Sequence, residues 1–180
     1  MNAVIQAMLD RRSVRKYKND PVPREMLDTI IRAGLYAASG MGRQQTLIVA
    51  ITDPGMIKKL SEVNCRIGGW DEKFDPFYGA PAVLIVLAKK GLPTAVEDGS
   101  LVLANLLLAA SSLGLGSCWI HRAREEFEMP EWQDFLRKHG VTDEYIGIGH
   151  CIVGYAAEKP KAAPRKDGRV IYVEKKRKES

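Results

Sequence analysis

The segment that most constrains the fold is an apolar run beginning at Leu101, which reads LVLANLLLAASSL. Thr94-Ala-Val-Glu97, just before it, matches a capping box, in which two side chains satisfy backbone N–H groups at a helix start. Together they predict a helix from Thr94 through Leu113 that is apolar on nearly every side. In a chain of 180 residues, such a helix is covered either within its own domain or by a second subunit.

A sheet for this helix to pack on is predicted by several short apolar runs. Ala82–Ala88, AVLIVLA, is apolar at every position, which is typical of a central strand covered on both faces. Further strands are predicted at 47–51, 116–120, 145–155 and 169–173, with helices at 2–9, 23–38, 53–63 and 130–139. The pattern predicts one α+β domain over 1–180, with helices on about four or five strands.

Two stretches lack such a pattern. Segment 64–81 contains glycine and the aromatic residues Trp70, Phe74, Phe77 and Tyr78, and a loop of this length in a compact domain is usually functional or mobile. Segment 174–180 is rich in lysine and predicts a flexible basic tail.

The charge distribution limits the possible partners. The net charge is +5, and Arg11, Arg12, Arg15, Lys16 and Lys18 account for all of that excess. A compact cluster favours a small anion over a broad nucleic-acid surface. The alternative of an RNA-binding module would place aromatic residues among the cations, whereas only Tyr17 and Tyr172 lie near them.

Several familiar sites are excluded by spacing. The cysteines Cys65, Cys118 and Cys151 form no CxxC pair, so we expect a reducing, cytoplasmic location and no disulfide framework. The histidines show no metal-ligand spacing, so we expect no metal site. No apolar stretch is long enough to span a membrane, and no signal peptide is evident. Sequence patterns for a Rossmann dinucleotide site, a phosphate-binding P-loop and a nucleophile elbow are also missing.

The arginine segment Arg11-Arg-Ser-Val-Arg15 is the strongest candidate site. Guanidinium groups and a hydroxyl this close together can bind a phosphate through several hydrogen bonds. The alternative is that the cations interact only with the C-terminal end of the preceding helix and lie in water. Pro164-Arg165-Lys166 is a second basic site near the other end of the chain.

Six segments in order resemble the nitroreductase family of FMN-dependent oxidoreductases. They are RRSVRKYKNDPVP (11–23), LYAASGMGRQQTLIVAI (35–51), FYGAPAVLIVLA (77–88), EDGSLVLANLLLAASSLGLGSCWIH (97–121), IGHCIVGYAAEKP (149–160) and APRKDGRVIYV (163–173). The resemblance implies a mixed or antiparallel sheet flanked by helices, and an intertwined homodimer with FMN between its subunits.

The resemblance also assigns candidate FMN contacts. It gives phosphate and pyrimidine-side contacts to Arg11, Ser13 and Arg15, with Arg12 adjacent, and returns Arg165 and Lys166 to the phosphate. Trp119, Ile120 and His121 would lie near the flavin edge, next to backbone amides that face it. Ser39, Gly40 and Gln44 match the family's serine loop, although Gly42 and Gln45 replace the asparagine and proline of the family pattern.

The activity implied is transfer of reducing equivalents from NADH or NADPH, through non-covalent FMN, to nitroaromatics, quinones or similar electron-poor acceptors. Ping-pong kinetics are expected, because nicotinamide and acceptor would use one flavin face in turn. His121 is a candidate proton donor, and the aromatic residues of 64–81 either line the substrate side or anchor the loop. The alternative within the fold is a reductive dehalogenase or flavin-cleaving enzyme.

Overall fold

The computed structural model describes residues 1–174. Its helices are α1 (Ala3–Asp10), α2 (Arg24–Leu35), α3 (Pro54–Gly68), α4 (Ala95–Ser112), α5 (Ala123–Phe127) and α6 (Pro130–Lys138). Its strands are β1 (Thr46–Ile51), β2 (Ala82–Lys89), β3 (Gly116–Ile120) and β4 (Tyr145–Gly154). A short 3-10 turn, Gly40–Gly42, precedes β1.

The four strands form one sheet in the order β1-β2-β4-β3, with antiparallel neighbours throughout. Residues 82–88 of β2 are all buried, which confirms the prediction of a central strand. The register of β2 against β4 shifts between Val86 and Leu87, opposite Gly149 and Gly147. This bulge lies beside the C-terminal end of β3, where several candidate site residues are found.

The sheet lies between two apolar cores. One core contains Leu60, Phe77 and Trp132 and includes residues of α3, α5 and α6. The other contains Ile30, Leu103 and Leu106 and includes residues of α2 and α4. The α+β arrangement is therefore built as the hydrophobic periodicity predicts, with apolar helix faces packed on both sides of a sheet.

Helix α4 confirms the predicted central helix, but the capping box is wrong in detail. Thr94 precedes the helix without a side-chain capping hydrogen bond, because its backbone is not in the extended conformation that places a capping hydroxyl over the first turn. One face of the helix is buried, whereas Leu101 on another face is 46% exposed. Residues 1–174 thus leave part of the helix surface uncovered.

The boundaries of the segment after β1 also differ from the prediction. Helix α3 continues to Gly68 and ends at Gly69, which has a φ of +65°. Glycine adopts this left-handed conformation at low cost, so it, rather than Val63, ends the helix. The predicted loop is correspondingly shorter, and helix α2 ends at Leu35 rather than near 38.

The predicted strand at 169–173 is wrong. These residues are exposed and have no regular secondary structure, since within residues 1–174 no strand lies beside them to satisfy their backbone groups. The predicted flexible tail, 174–180, lies outside the described residues except for Glu174. Of the helices in the described part of the chain, none has the length and apolar character needed to cross a membrane.

Candidate functional site

The arginine segment runs beside the outer strand of the sheet. Ser13 forms a parallel bridge with Ser117 of β3, and the Val14 N–H donates to the Ser117 carbonyl at 3.0 Å. Val14 is buried and packs on Gly116, where an added Cβ would lie 3.0 Å from its side chain. Val14 therefore anchors the segment, while Ser13 is half-buried and Arg15 is exposed.

Arg11 and Arg12 are used differently. Arg12 donates from Nη1 to the carbonyl oxygens of Leu9 (2.6 Å) and Arg11 (2.7 Å), so it closes the C-terminal end of α1 as the alternative hypothesis expects. Arg11 Nη1 is buried and has no hydrogen-bond partner within residues 1–174. A buried unpaired donor of this kind is costly unless a ligand supplies an acceptor.

Arg15 lies at a cavity of about 600 Å³ beside the end of β3. Its guanidinium carbon is 6.0 Å from the centre of the Tyr78 ring, and its backbone N–H donates to Glu158 at 2.5 Å. The other residues that line the cavity are Trp70, Asp71, Phe74, Pro76, Tyr78, Trp119, Ile120 and His121. Four candidates from two distant segments, Arg15 and residues 119–121, therefore meet at one cavity.

One wall of this cavity is aromatic. The rings of Trp70 and Phe74 meet edge to face with centres 5.3 Å apart, and those of Phe74 and Tyr78 do so at 5.7 Å. Edge-to-face contacts of this kind stabilise the loop as well as shaping the cavity. The two hypotheses for these residues, substrate lining and loop anchoring, are thus compatible.

The turn that follows β3 presents free backbone donors. The N–H groups of His121 and Arg122 donate to no acceptor in the described part of the chain. Arg122 has a φ of +81°, a conformation that is strained for a residue with a side chain and that is often found at functional sites. Helix α5 begins immediately afterwards and lies against Gly147, where a Cβ would be 1.9 Å from the Ala123 carbonyl oxygen.

A buried polar cluster lies beneath this turn. Asn64 Nδ2 donates to the His121 carbonyl at 2.8 Å and to Glu126 Oε1 at 2.9 Å. His150 Nε2 lies 2.7 Å from Glu126 Oε2, and its Nδ1 lies 3.3 Å from the Ile120 carbonyl oxygen. All three side chains are fully buried. Sequence reasoning missed this cluster because its members are single polar residues on α3, α5 and β4.

The serine loop lies at a different cavity. Gln44 N–H donates to Ser39 Oγ at 3.0 Å, and Gly40 N–H donates to the buried Asp98 of α4 at 2.8 Å. Its cavity, of about 650 Å³, is lined by Ser39 and Gln44 and shares no residue with the one at Arg15. Met41, Gly42 and Gln44 all have positive φ. A single chain therefore does not bring the serine loop to the arginine segment.

Arg165 and Lys166 also remain apart from the arginine segment. Both are exposed, and within residues 1–174 neither makes a side-chain hydrogen bond or an ion pair. The structure thus brings together the candidates at the end of β3 and leaves the serine loop and the second basic site separate.

Comparison with known proteins places the chain among flavoproteins. The Nitroreductase family matches residues 8–155. A protein of Methanothermobacter thermautotrophicus that is named an NADH dehydrogenase/NAD(P)H nitroreductase is 28% identical to this chain. The match covers 96% of this chain and 87% of that protein. The FMN reductase (NAD(P)H) of Bacillus subtilis is 28% identical over 92% of this chain and 70% of its own.

A solved structure shows the same fold. A nitroreductase from Bacteroides fragilis with bound FMN is 29% identical, covers 97% of this chain and 100% of its own, and superposes with a TM-score of 0.88. The predicted nitroreductase-like α+β fold is therefore confirmed. Because the family match extends over most of the chain, this protein belongs to the nitroreductase family.

Proposed function

We propose that this enzyme transfers reducing equivalents from NADH or NADPH, through non-covalently bound FMN, to an electron-poor acceptor such as a nitroaromatic or a quinone. The family and the flavin reductases among its relatives support the class, an FMN-dependent NAD(P)H oxidoreductase. The observation that carries the proposal is the set of unpaired donors around the end of β3. Nicotinamide and acceptor would use the flavin in turn, which gives ping-pong kinetics.

The residues present fit an FMN molecule. The buried Arg11 Nη1 lacks an acceptor in residues 1–174, and a phosphate would supply one through a charge-assisted bond. The free N–H groups of His121 and Arg122 suit the polar edge of an isoalloxazine ring. The adjacent cavity, of about 600 Å³ and lined with aromatic side chains, is of the size that planar ligands occupy.

The proposal assigns roles to six of the candidates. Arg11 and Ser13 bind the phosphate. Arg165 and Lys166 join them when the C-terminal segment packs in the proposed dimer. Arg15 lies beside the pyrimidine side of the ring, where it stabilises the negative charge that accompanies reduction. When bound, FMN supplies the carrier of two electrons between the nicotinamide and the acceptor. His121 is exposed at the cavity and remains a candidate proton donor.

The cysteines favour non-covalent binding. Cys65, Cys118 and Cys151 are all buried. Burial raises the pKa of the Cys151 thiol far above its usual range, with the neighbouring Cys118 acting in the same direction and Arg11 opposing it. The Cys151 thiol therefore stays protonated and is a poor nucleophile.

We also propose that two copies of the chain form a homodimer that completes the site. Eleven large apolar residues are exposed on α1, α4, the end of β3 and the C-terminal segment: Val4, Ile5, Met8, Leu9, Val96, Leu101, Trp119, Val170, Ile171, Tyr172 and Val173. Exposure on this scale is typical of an interface. A partner would bring its serine loop to the arginine segment, which the single chain does not do.

Anaerobic mixing tests the proposed activity. The purified protein should be yellow, and heat should release FMN of the correct mass. Addition of NADH or NADPH without oxygen should bleach the flavin absorption band, and nitroaromatic or quinone acceptors should restore it. A colourless protein that takes up no added FMN would contradict the proposal.

The same experiment separates the alternatives. A reductive dehalogenase would reoxidise with release of halide from an iodinated or brominated phenol, and a flavin-cleaving enzyme would lose its flavin permanently under oxygen. The cytoplasmic location and the choice between NADH and NADPH stay predictions. The second can be measured directly as the ratio of the two bleaching rates.

A further inference from the structure

The buried cluster of Asn64, Glu126 and His150 lies outside every contact assigned above. Its hydrogen bonds end on two successive backbone carbonyls, those of Ile120 and His121, and the next two free N–H groups in the chain belong to His121 and Arg122. We propose that this cluster positions the turn after β3, and so sets the direction of the backbone donors that face the flavin. The inference rests on the proposed FMN function, and all three side chains are positioning residues.

Hydrogen-bond geometry fixes the orientation of Asn64. Its two contacts, the His121 carbonyl and Glu126 Oε1, are both acceptors, so the amide NH₂ must face them and its two hydrogens are both used. The Asn64 carbonyl oxygen is consequently buried without a partner in the described residues. The Asn64 side chain thus joins the turn to the Glu126 carboxylate, although its own oxygen is left without a hydrogen bond.

The same reasoning fixes the protons of the His150–Glu126 pair. The Ile120 carbonyl can only accept, so His150 Nδ1 carries a hydrogen and donates it. A further proton must lie between His150 Nε2 and Glu126 Oε2, which are 2.7 Å apart. Whichever group holds it, the pair has no net charge. The fully buried pair therefore holds the turn in position without adding a net charge beside it.

Two further contacts make the position of the turn rigid. The Ala123 carbonyl packs against the bare backbone of Gly147, and the ring of Phe77 lies with its centre 5.2 Å from that of His150. Arg122, between these contacts, keeps a φ of +81°. A strained conformation persists only where its surroundings determine it fully, and here the cluster below and β4 beside it do so.

Asn64→Ala tests the proposal, with Asn64→Ser as the milder variant if the first does not fold. Ser61→Ala is the matched control: Ser61 lies one turn earlier on α3 and is also buried, but its hydroxyl donates to Asp75 and does not reach the turn. Hydrogen exchange of the FMN-free proteins should show at least tenfold faster exchange at Glu126 and Glu128, whose N–H groups donate to the Arg122 and Arg124 carbonyls, in the Asn64 variant than in the control.

The loaded proteins give a second readout. Reduced flavin is more negative than oxidised flavin, so it loses more stabilisation when the His121 and Arg122 N–H groups are less well oriented. In Asn64→Ala, the ratio of the dissociation constant of reduced FMN to that of oxidised FMN should therefore rise about tenfold. That ratio corresponds to a midpoint potential lower by about 30 mV for two electrons. Ser61→Ala should leave the ratio unchanged, because loss of stability alone does not change a potential.

Glu126→Gln distinguishes position from charge. A glutamine can accept from Asn64 and donate to a neutral His150, so the geometry is kept and the potential should match that of the unchanged protein. The proposal is overturned if Asn64→Ala leaves both exchange and potential unchanged, or if Glu126→Gln shifts the potential as much as Asn64→Ala. If the unchanged protein binds no FMN, the proposed function fails separately, while the exchange data still show whether the cluster positions the turn.

Discussion

Two regions that meet at the end of β3 differ in how far a single chain completes them. Beneath the turn, Asn64, Glu126 and His150 direct nearly all of their hydrogen bonds to one another and to the turn. Around the arginine segment, a buried guanidinium N–H has no acceptor in residues 1–174, and the second basic site lies in solvent. The chain itself supplies most hydrogen-bond partners in the first region, but it does not do so in the second.

This difference indicates how the site is assembled. Donors that the chain leaves unpaired are available to a ligand or a partner at no cost in internal hydrogen bonds. Donors in the turn are instead held in one direction before any ligand arrives, which lowers the entropy lost on binding. We therefore expect variants in the two regions to fail differently. Variants of the arginine segment, the open region, should lose affinity for FMN. Variants beneath the turn, the closed region, should lose stability and should alter FMN binding only through the direction of the donors in the turn.

The largest effect is expected where a second copy completes the open region. Ile171 is 88% exposed, and burying such a side chain contributes roughly 1.5 to 3 kcal/mol. A twofold dimer contains two copies, so Ile171→Asp should raise the dimer dissociation constant at least about 100-fold. Sedimentation equilibrium measures this. Lys161→Ala, in the same exposed segment, is the control, and an unaffected dimer would show that Ile171 lies outside the interface.

The closed region is tested by Gly147→Ala. A Cβ at this position would lie 1.9 Å from the Ala123 carbonyl oxygen, so α5 or β4 must move, at a cost of about 3 kcal/mol in the free energy of unfolding. Urea denaturation provides the measurement. Gly55→Ala is the matched substitution in the first turn of α3: its Cβ would lie 3.3 Å from Asp53 Oδ1, a contact that a shift of a few tenths of an ångström relieves, so the free energy of unfolding should change by less than about 1 kcal/mol. Equal stabilities of the two variants would contradict the rigid turn.

A phosphate at Arg11 is tested next. Loss of one charge-assisted bond costs about 1.5 to 3 kcal/mol, so Arg11→Ala should weaken FMN binding roughly 10- to 150-fold. Riboflavin, which lacks the phosphate, should bind the variant and the unchanged protein alike. Equal losses for both ligands would place Arg11 away from the phosphate.

The same FMN titration tests whether the second basic site, at Arg165, binds the same phosphate as Arg11. If Arg11 and Arg165 share one phosphate, the double alanine variant should depart from the sum of the single losses by about 0.5 kcal/mol or more. Strict additivity in the dimer would show that the two arginines act on separate groups.

A smaller effect is expected for Arg15. This side chain is exposed, so solvent screens its charge, and Arg15→Ala should lower the FMN midpoint potential by roughly 15 to 30 mV. Binding of oxidised FMN should change little. Lys16→Ala, which removes the neighbouring exposed cation, is the control, and equal shifts in the two variants would indicate a general field effect.

The smallest effect is expected for Arg12, which lies in the arginine segment but already has hydrogen-bond partners within the chain. Its guanidinium already bonds the last carbonyls of α1, so Arg12→Ala should lower the free energy of unfolding by about 0.5 to 1 kcal/mol. FMN affinity should fall less than about threefold, in contrast to Arg11→Ala. A loss of FMN affinity as large as that of Arg11→Ala would indicate that Arg12 also binds the phosphate.

The local pattern of the sequence determined much of the fold and part of the site. The continuous apolar run of β2 is buried as predicted, and α4 follows from its length and composition. The arginine segment was predicted as a site from its residues, and the end of β3 was predicted from the resemblance to the nitroreductase family. Patterns of this kind repeat every two to four residues, so they report which faces are buried without any knowledge of distant neighbours.

Only the tertiary structure decided which groups are paired. Residues 169–173 have a strand pattern but no partner strand in the described chain, and Thr94 matches a capping box that its backbone does not form. Asn64 meets His121 and Glu126 across 57 and 62 positions of sequence. Hydrogen bonds act over about 3 Å, so whether a polar group is satisfied depends on how the chain brings distant segments together, and no local repeat carries that information.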